Sequence, residues 1–294
     1  MTTSRLSTGV SGLDELLGGG LLPGTLTVLV GATGIGKTQF SVQFLNAGQG
    51  QEGHRGVIFD MTARGDSQSH ADYARRMFGW KLTASSGNQR PDLEHFFAHP
   101  GQSDYLHVFD VSGRRVTRRD LDFDAWNDRQ AELNARLEAS IGFLYGNFVR
   151  GVRRVAVDGV EPVDRPGDSI QFELFEYLYH QVIRKAPEWV ARDLFRQDYR
   201  CQADQVAAHV YDPSDLGCVL SYTSHQSMLE ELISRPLDEG DLLSNANTVI
   251  YLGRVPLQGR LQRALYIAKH RGSACHDGIV PLRIDDAGLH VAQT

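Results

Sequence analysis

A lysine and a threonine, Lys37-Thr38, close a run of small residues, Gly31-Ala32-Thr33-Gly34-Ile35-Gly36. The pattern is G-x-x-x-x-G-K-[ST] at every fixed position, and each fixed residue has a task. Glycines let consecutive backbone N–H groups turn inward around an anion. The lysine ammonium reaches the β- and γ-phosphates of a nucleoside triphosphate, and the hydroxyl after it holds Mg²⁺. The expected cofactors are therefore ATP and Mg²⁺. Gly31, Ala32, Thr33, Gly34, Ile35, Gly36, Lys37, Thr38 and Gln39 are the candidate nucleotide contacts, and Lys37 is also a catalytic candidate. Asp158 ends a second apolar run, Val155-Ala156-Val157. An aspartate there orders Mg²⁺ through water, so Thr38 and Asp158 form the candidate metal pair.

These residues work only if particular elements hold them. Thr25-Leu26-Thr27-Val28-Leu29-Val30 reads as a buried strand, and Phe40, Phe44 and Leu45 mark the helix after the loop. That helix would aim its N-terminus at the phosphates. Ser11 is placed to cap a short leading helix carrying Leu13, Leu16 and Leu17, with Gly18 to end it. Further strands are expected at Val57–Thr62, Leu106–Val111 and Cys218–Thr223, with a loop at Ser85–Pro91. Helical spacing appears at Tyr73, Ala74, Met77 and Phe78, across Ala125–Val149, and from Phe172 to Ile183. Ser224-His225-Gln226 follows a strand end and reads equally as a phosphate sensor or an ordinary loop.

The chain has 294 residues and a formal net charge of −6. That length suits one large α/β domain, and the charge speaks against a protein that coats nucleic acid. No apolar run approaches the ~18 residues of a membrane span. The N-terminal Met1-Thr2-Thr3-Ser4-Arg5 lacks a signal-peptide core. Cys201, Cys218 and Cys275 show no metal or redox spacing. A cytoplasmic protein is expected. Arg114, Arg115, Arg118 and Arg119 form a basic cluster, but Asp120, Asp122 and Asp124 lie beside it, which favours a solvated face.

The lead-in Thr8-Gly9, then Gly12-Leu13-Asp14-Glu15-Leu16-Leu17-Gly18-Gly19-Gly20, followed by strand and phosphate loop, resembles the KaiC and RadA branch of the RecA-like ATPases. The segments 246–252, 259–265, 269–273 and 284–291 resemble KaiC again. The resemblance implies one RecA/KaiC-like ATPase domain over 1–294, with a helical insertion at 186–213. Its fold would be α/β: a mostly parallel sheet with helices on both faces and an antiparallel C-terminal extension. It implies a homo-oligomer, a hexameric ring or else a filament, with nucleotide at subunit interfaces. Lys269 and Arg271, which match the family's K-x-R-G segment, would act in trans on a neighbour's nucleotide. An unknown protein partner is expected for a regulatory role.

In this family a glutamate at the end of the second strand activates water. Thr62 stands there, so a hydrolase whose base is missing or displaced is expected, with Asp60 two residues earlier and Asp66 beyond as substitutes. A non-hydrolysing, nucleotide-gated scaffold is an alternative. So is a DNA recombination ATPase, but the two loops that would face DNA, 159–168 and 228–244, are acidic, and like charge repels phosphate. Ser244 follows Leu243 rather than a Ser-Thr pair, so autophosphorylation is not expected.

Overall fold

The computed structural model describes residues 4–62, 70–87, 90–98, 103–109, 122–161, 169–234, 245–257 and 259–291. Its central strand is β1 (Leu26–Gly31), in which every residue is buried. Such a strand needs neighbours on both edges and helices on both faces. The edges are filled by parallel β6 (Gly217–Thr223) and β7 (Thr248–Leu257). Outward from β6 come β5 (Arg154–Val160), β2 (Val57–Asp60), β4 (Tyr105–His107) and β3 (Ala84–Ser86), all parallel. Beyond β7 the sheet turns antiparallel through β8 (Arg260–His270), β9 (Val280–Asp285) and β10 (Gly288–Val291). The ten strands form one sheet in the order β10-β9-β8-β7-β1-β6-β5-β2-β4-β3.

Period-two alternation sorts the apolar side chains onto two faces. Val28, Val30, Val57, Phe59, Val155, Val157 and Leu220 belong to one core. It is covered by α4 (Phe123–Phe148), α5 (Ile170–Leu178) and α6 (Pro187–Phe195) through Leu144, Phe175 and Val190. Leu29, Ile58, Ala156, Val219 and Ile250 belong to the other core. There the cover is α1 (Leu13–Leu16), α2 (Lys37–Gln51) and α3 (His70–Phe78), through Leu13, Phe44 and Ala74. The stretch 186–213 holds α6 and α7 (Tyr199–Ala208). The short α8 (Leu229–Ser234) packs on β7. Among the described residues no helix is long and apolar enough to cross a membrane.

Several local expectations change. Ala84–Ser86, expected to be loop from Ser85, is β3. Its residues favour a strand weakly, and pairing with β4 along the sheet edge overrides that. The strand expected to run to Thr62 stops at Asp60, because the Asp60 carboxylate takes the Thr62 N–H at 2.8 Å and closes a turn. The strand expected over Leu106–Val111 begins at Tyr105 and ends at His107; Asp110 and Val111 lie outside the described residues. Ser11 does not cap α1. Gly12 holds the cap position at φ 80°. Asp14 instead reaches back to the Thr8 N–H at 2.7 Å and the Ser7 hydroxyl at 2.5 Å, pinning the lead-in. Asp66, Arg114, Arg115, Arg118, Arg119 and Ser244 also lie outside the described residues.

The largest fully buried side chain is Arg154, at the start of β5. Its guanidinium donates to both Glu52 oxygens at 2.8 and 2.7 Å, and to the Ser7 and Phe44 carbonyls at 2.7 Å each. It also donates to Gln51 and lies 4.9 Å over the Phe44 ring. One residue thus ties the lead-in, the end of α2 and the sheet together. Removing it strands the Glu52 carboxylate, which is itself buried. Arg154→Ala is expected to cost about 3–5 kcal/mol, read as a lower urea midpoint at unchanged m-value. A loss under about 1 kcal/mol would show that the pair is worth no more than a surface one.

Candidate functional site

The phosphate loop leaves β1 at Gly31 and enters α2 at Lys37. Gly36 sits at the helix N-cap with φ 124°. A Cβ there would meet Leu289 at 2.6 Å and Ile284 at 2.8 Å, so the C-terminal strands press on the loop from behind and only glycine fits. The Lys37 side chain is buried and donates to the Gly31 and Ala32 carbonyls at 2.7 and 3.0 Å. Among the described residues it makes no salt bridge. Burial pulls its pKa down to about 8, against the opposing pull of the Asp158 charge.

The Thr38 hydroxyl donates to Asp158 Oδ2 at 2.9 Å. The two residues are 120 positions apart, and the order β1-β6-β5 brings them together. A hydroxyl and a carboxylate are hard oxygen donors of the kind Mg²⁺ takes, so this pair fits that ion. Asp158 is aimed by a kink: Gly159 follows at φ 89°, and a Cβ there would lie 2.2 Å from the Thr62 nitrogen. The β5–β6 register shifts at the same place. The Gly159 N–H holds Asp158 Oδ1 at 2.8 Å.

Asp60 stands directly beside Asp158, because the two are paired residues of β2 and β5. Both are buried. Asp60 Oδ2 accepts the Tyr105 hydroxyl at 2.6 Å, and Oδ1 accepts the Thr62 N–H. Between the carboxylates sits His70, the first residue of α3. Its Nε2 is 2.9 Å from Asp158 Oδ2 and its Nδ1 is 3.3 Å from Asp60 Oδ2. Burial alone would strip its proton. Bonds and charges from Asp158 and Asp60 outweigh that and push its pKa up to about 10. Burial likewise works against the Asp60 charge, but His70, Tyr105 and Thr62 hold its pKa down to about 2. Asp158 is depressed too, by His70, Lys37 and Thr38 against its burial.

His70 carried no signal in the sequence. A lone histidine fits no motif, and only the β2–β5 pairing reveals two carboxylates that need a cation. Thr62, at the position expected to hold a glutamate, lends its carbonyl to His107 at 2.8 Å. The Ser224 N–H bonds Gly31 O at 3.1 Å, tying the end of β6 to the loop, while the His225 side chain is exposed. Ala32, Thr33, Gly34 and Ile35 form the turn between Gly31 and Gly36, and Gln39 lies in the first turn of α2.

Lys269 and Arg271 lie elsewhere. Lys269 pairs with Val249, and the Arg271 N–H bonds Asn247 O. The phosphate loop starts level with Leu252. Asn247 is five residues back along β7, about 16 Å at strand rise. The two cations therefore sit toward the opposite end of the sheet from their own chain's loop. Burial and the neighbouring Arg271 charge lower the pKa of Lys269. A cavity of about 390 Å³, lined by Arg90, Glu138, Phe195 and Arg196, shares no residue with the loop. Glu138 holds both of its arginines, at 3.0 and 3.1 Å.

The family described as "ATPase: KaiC" matches residues 6–105. The chain is 31% identical over 195 residues to the circadian clock oscillator protein KaiC of Prochlorococcus marinus, covering 62% of this chain and 38% of that protein. It is 39% identical over 85 residues to the UPF0273 protein MK0039 of Methanopyrus kandleri, covering 28% and 31%. Against the circadian clock protein KaiC2 of Synechocystis it is 30% identical over 109 residues, covering 36% and 18%. The matched part thus spans under two fifths of each relative's length.

The buried Asp60–His70–Asp158 cluster makes stability depend on pH. His70 has a folded pKa of about 10, above its ordinary 6.5. Its contribution is complete below pH 6.5 and is lost as pH rises through 10. In metal-free buffer, the gap in melting temperature between wild type and His70→Asn should shrink from pH 6.5 to pH 10. A gap that stays constant would mean His70 is neutral in the fold.

Proposed function

We propose that this chain, which is similar to the KaiC ATPase family over residues 6–105, binds ATP with Mg²⁺ at Gly31–Thr38 and hydrolyses it slowly as an oligomeric regulatory protein. The observation that carries this reading is the convergence of Lys37, Thr38 and Asp158 at the end of β1. Lys37 supplies a buried ammonium to the β- and γ-phosphates. Thr38 and Asp158 would hold Mg²⁺, which supplies charge neutralisation to the transferring phosphoryl group. The backbone N–H groups of Ala32–Gly36 and the start of α2 supply the cradle.

Slowness follows from the base. A general base needs a pKa near the working pH and reach to the water. Thr62 has no carboxylate. Asp60 accepts from Tyr105, His70 and Thr62, with a pKa near 2. It is a weak base whose oxygens are taken, and the structure favours it as a positioning group for His70. The same observation supports the second reading, a scaffold in which nucleotide sets assembly without turnover.

The placement of Lys269 and Arg271 supports oligomerisation. Lys269, level with Val249, and Arg271, level with Asn247, lie about 10 and 16 Å back along the sheet from the start of their own loop, a placement that suits the nucleotide of a neighbouring subunit. A cation lent across an interface stabilises phosphoryl-transfer charge as an arginine finger does, a gain of several powers of ten in related systems. A hexameric ring, a cytoplasmic setting and a single domain over 1–294 with α6 and α7 as an insertion belong to the same proposal.

Lys37→Ala is expected to abolish ATP binding in calorimetry while leaving the circular dichroism spectrum unchanged; normal binding would remove the site from the loop. Arg271→Ala is expected to lower phosphate release at least about tenfold and to weaken ATP-dependent assembly in light scattering, with monomer stability intact. Unchanged turnover and mass would end the trans role. Turnover stimulated by single-stranded DNA would favour a recombination ATPase instead.

A further inference from the structure

The oxygen that a metal-ordering aspartate needs is shared. Asp158 Oδ2 accepts the Thr38 hydroxyl and also lies 2.9 Å from His70 Nε2. The imidazole is wedged there by Asp60 on its other nitrogen and by the Tyr105 ring, tilted 45° with centroids 5.8 Å apart. His70 is almost wholly buried, so water cannot take its place cheaply. It opens α3, whose Ala74 is fully buried in the sheet core.

We propose that His70 is a resident cation of the metal position, which holds Asp158 and must release it before Mg²⁺ is ordered beside Thr38. This rests on the reading of Gly31–Thr38 and Asp158 as a nucleotide–metal site, and adds a gate to it. The Thr38 hydroxyl and His70 Nε2 fill Asp158 Oδ2 and the Gly159 N–H holds Oδ1, so a metal-bound water finds an acceptor on Oδ2 only when His70 leaves it. Metal entry therefore moves His70, and with it the first turn of α3. Nucleotide without metal leaves the contact in place, because the phosphates are held by the loop and Lys37. The gate would make this site metal-poor at rest and would couple metal loading to the face of the protein that α3 covers.

The test compares the wild-type full chain with His70→Gln and His70→Asn at one fixed pH. ADP binding in EDTA is measured by calorimetry, then Mn²⁺ binding to the ADP-loaded proteins by electron paramagnetic resonance. Expected are equal ADP affinities and Mn²⁺ bound roughly ten-fold more tightly by the variants, since a charge-assisted hydrogen bond no longer competes. A merely structural counter-ion would also tighten Mn²⁺ when removed, by leaving Asp60 and Asp158 uncompensated, and is told apart from a gate by whether α3 moves when metal enters the wild type. Equal or weaker Mn²⁺ binding in variants that still bind ADP overturns the gate alone. Absence of ADP binding in wild type overturns the nucleotide reading and the gate together.

A second measurement needs no variant. In wild type, hydrogen exchange of the peptide 70–78 should quicken with Mg·ADP relative to ADP in EDTA. Exchange that is unchanged or slower with the metal overturns the proposal even where both substitutions prevent folding.

Discussion

Two carboxylates buried side by side set the terms for this structure. Asp60 and Asp158 are cross-strand partners, and at ~5 Å in an effective dielectric of about 20 two such charges repel by about 3 kcal/mol. Proteins tolerate this only with a cation or a proton between them. Here the cation is His70, brought by α3. The strand end that carries Asp158, the helix that covers the adjacent core and the turn at Thr62 are thereby made one cluster. Moving His70 away exposes the repulsion between Asp60 and Asp158.

The phosphate loop depends on the same kind of mutual support. It is pressed from behind by Ile284 and Leu289, residues of the C-terminal antiparallel strands. The Gln43 side chain joins α2 to that extension, accepting the Leu289 N–H at 2.7 Å and donating to its carbonyl at 3.0 Å. At the other end of α2, Arg154 gathers Glu52, Ser7 and Phe44. The helix that begins at the phosphate site is thus fastened at both ends by residues distant in sequence. That fits a loop whose N–H groups must be oriented before a ligand arrives, since preorganised donors cost no rearrangement during binding or reaction.

The chemistry is correspondingly lopsided. Lys37, Thr38 and Asp158 converge at the end of β1, while Thr62 stands where a glutamate was expected and both Asp60 oxygens are occupied. Lys269 on β8 and Arg271 just beyond it lie toward the far end of the sheet from the loop.

The sequence by itself determined the glycine-rich loop, the strand and helix around it, Asp158 at the end of an apolar strand, and the run of antiparallel strands after 248. These are local patterns: a glycine spacing, an apolar run, a period. Thr62 in place of a glutamate was legible too, because it is an identity at a known offset. Only the tertiary structure decided which oxygens are free. Register placed Asp60 against Asp158, packing brought His70 from a separate helix, and the edge strand Ala84–Ser86 formed because β4 offered it a ladder. Such facts depend on which distant residues become neighbours. Propensity and spacing do not encode that, and the electrostatics of a buried site follow from it.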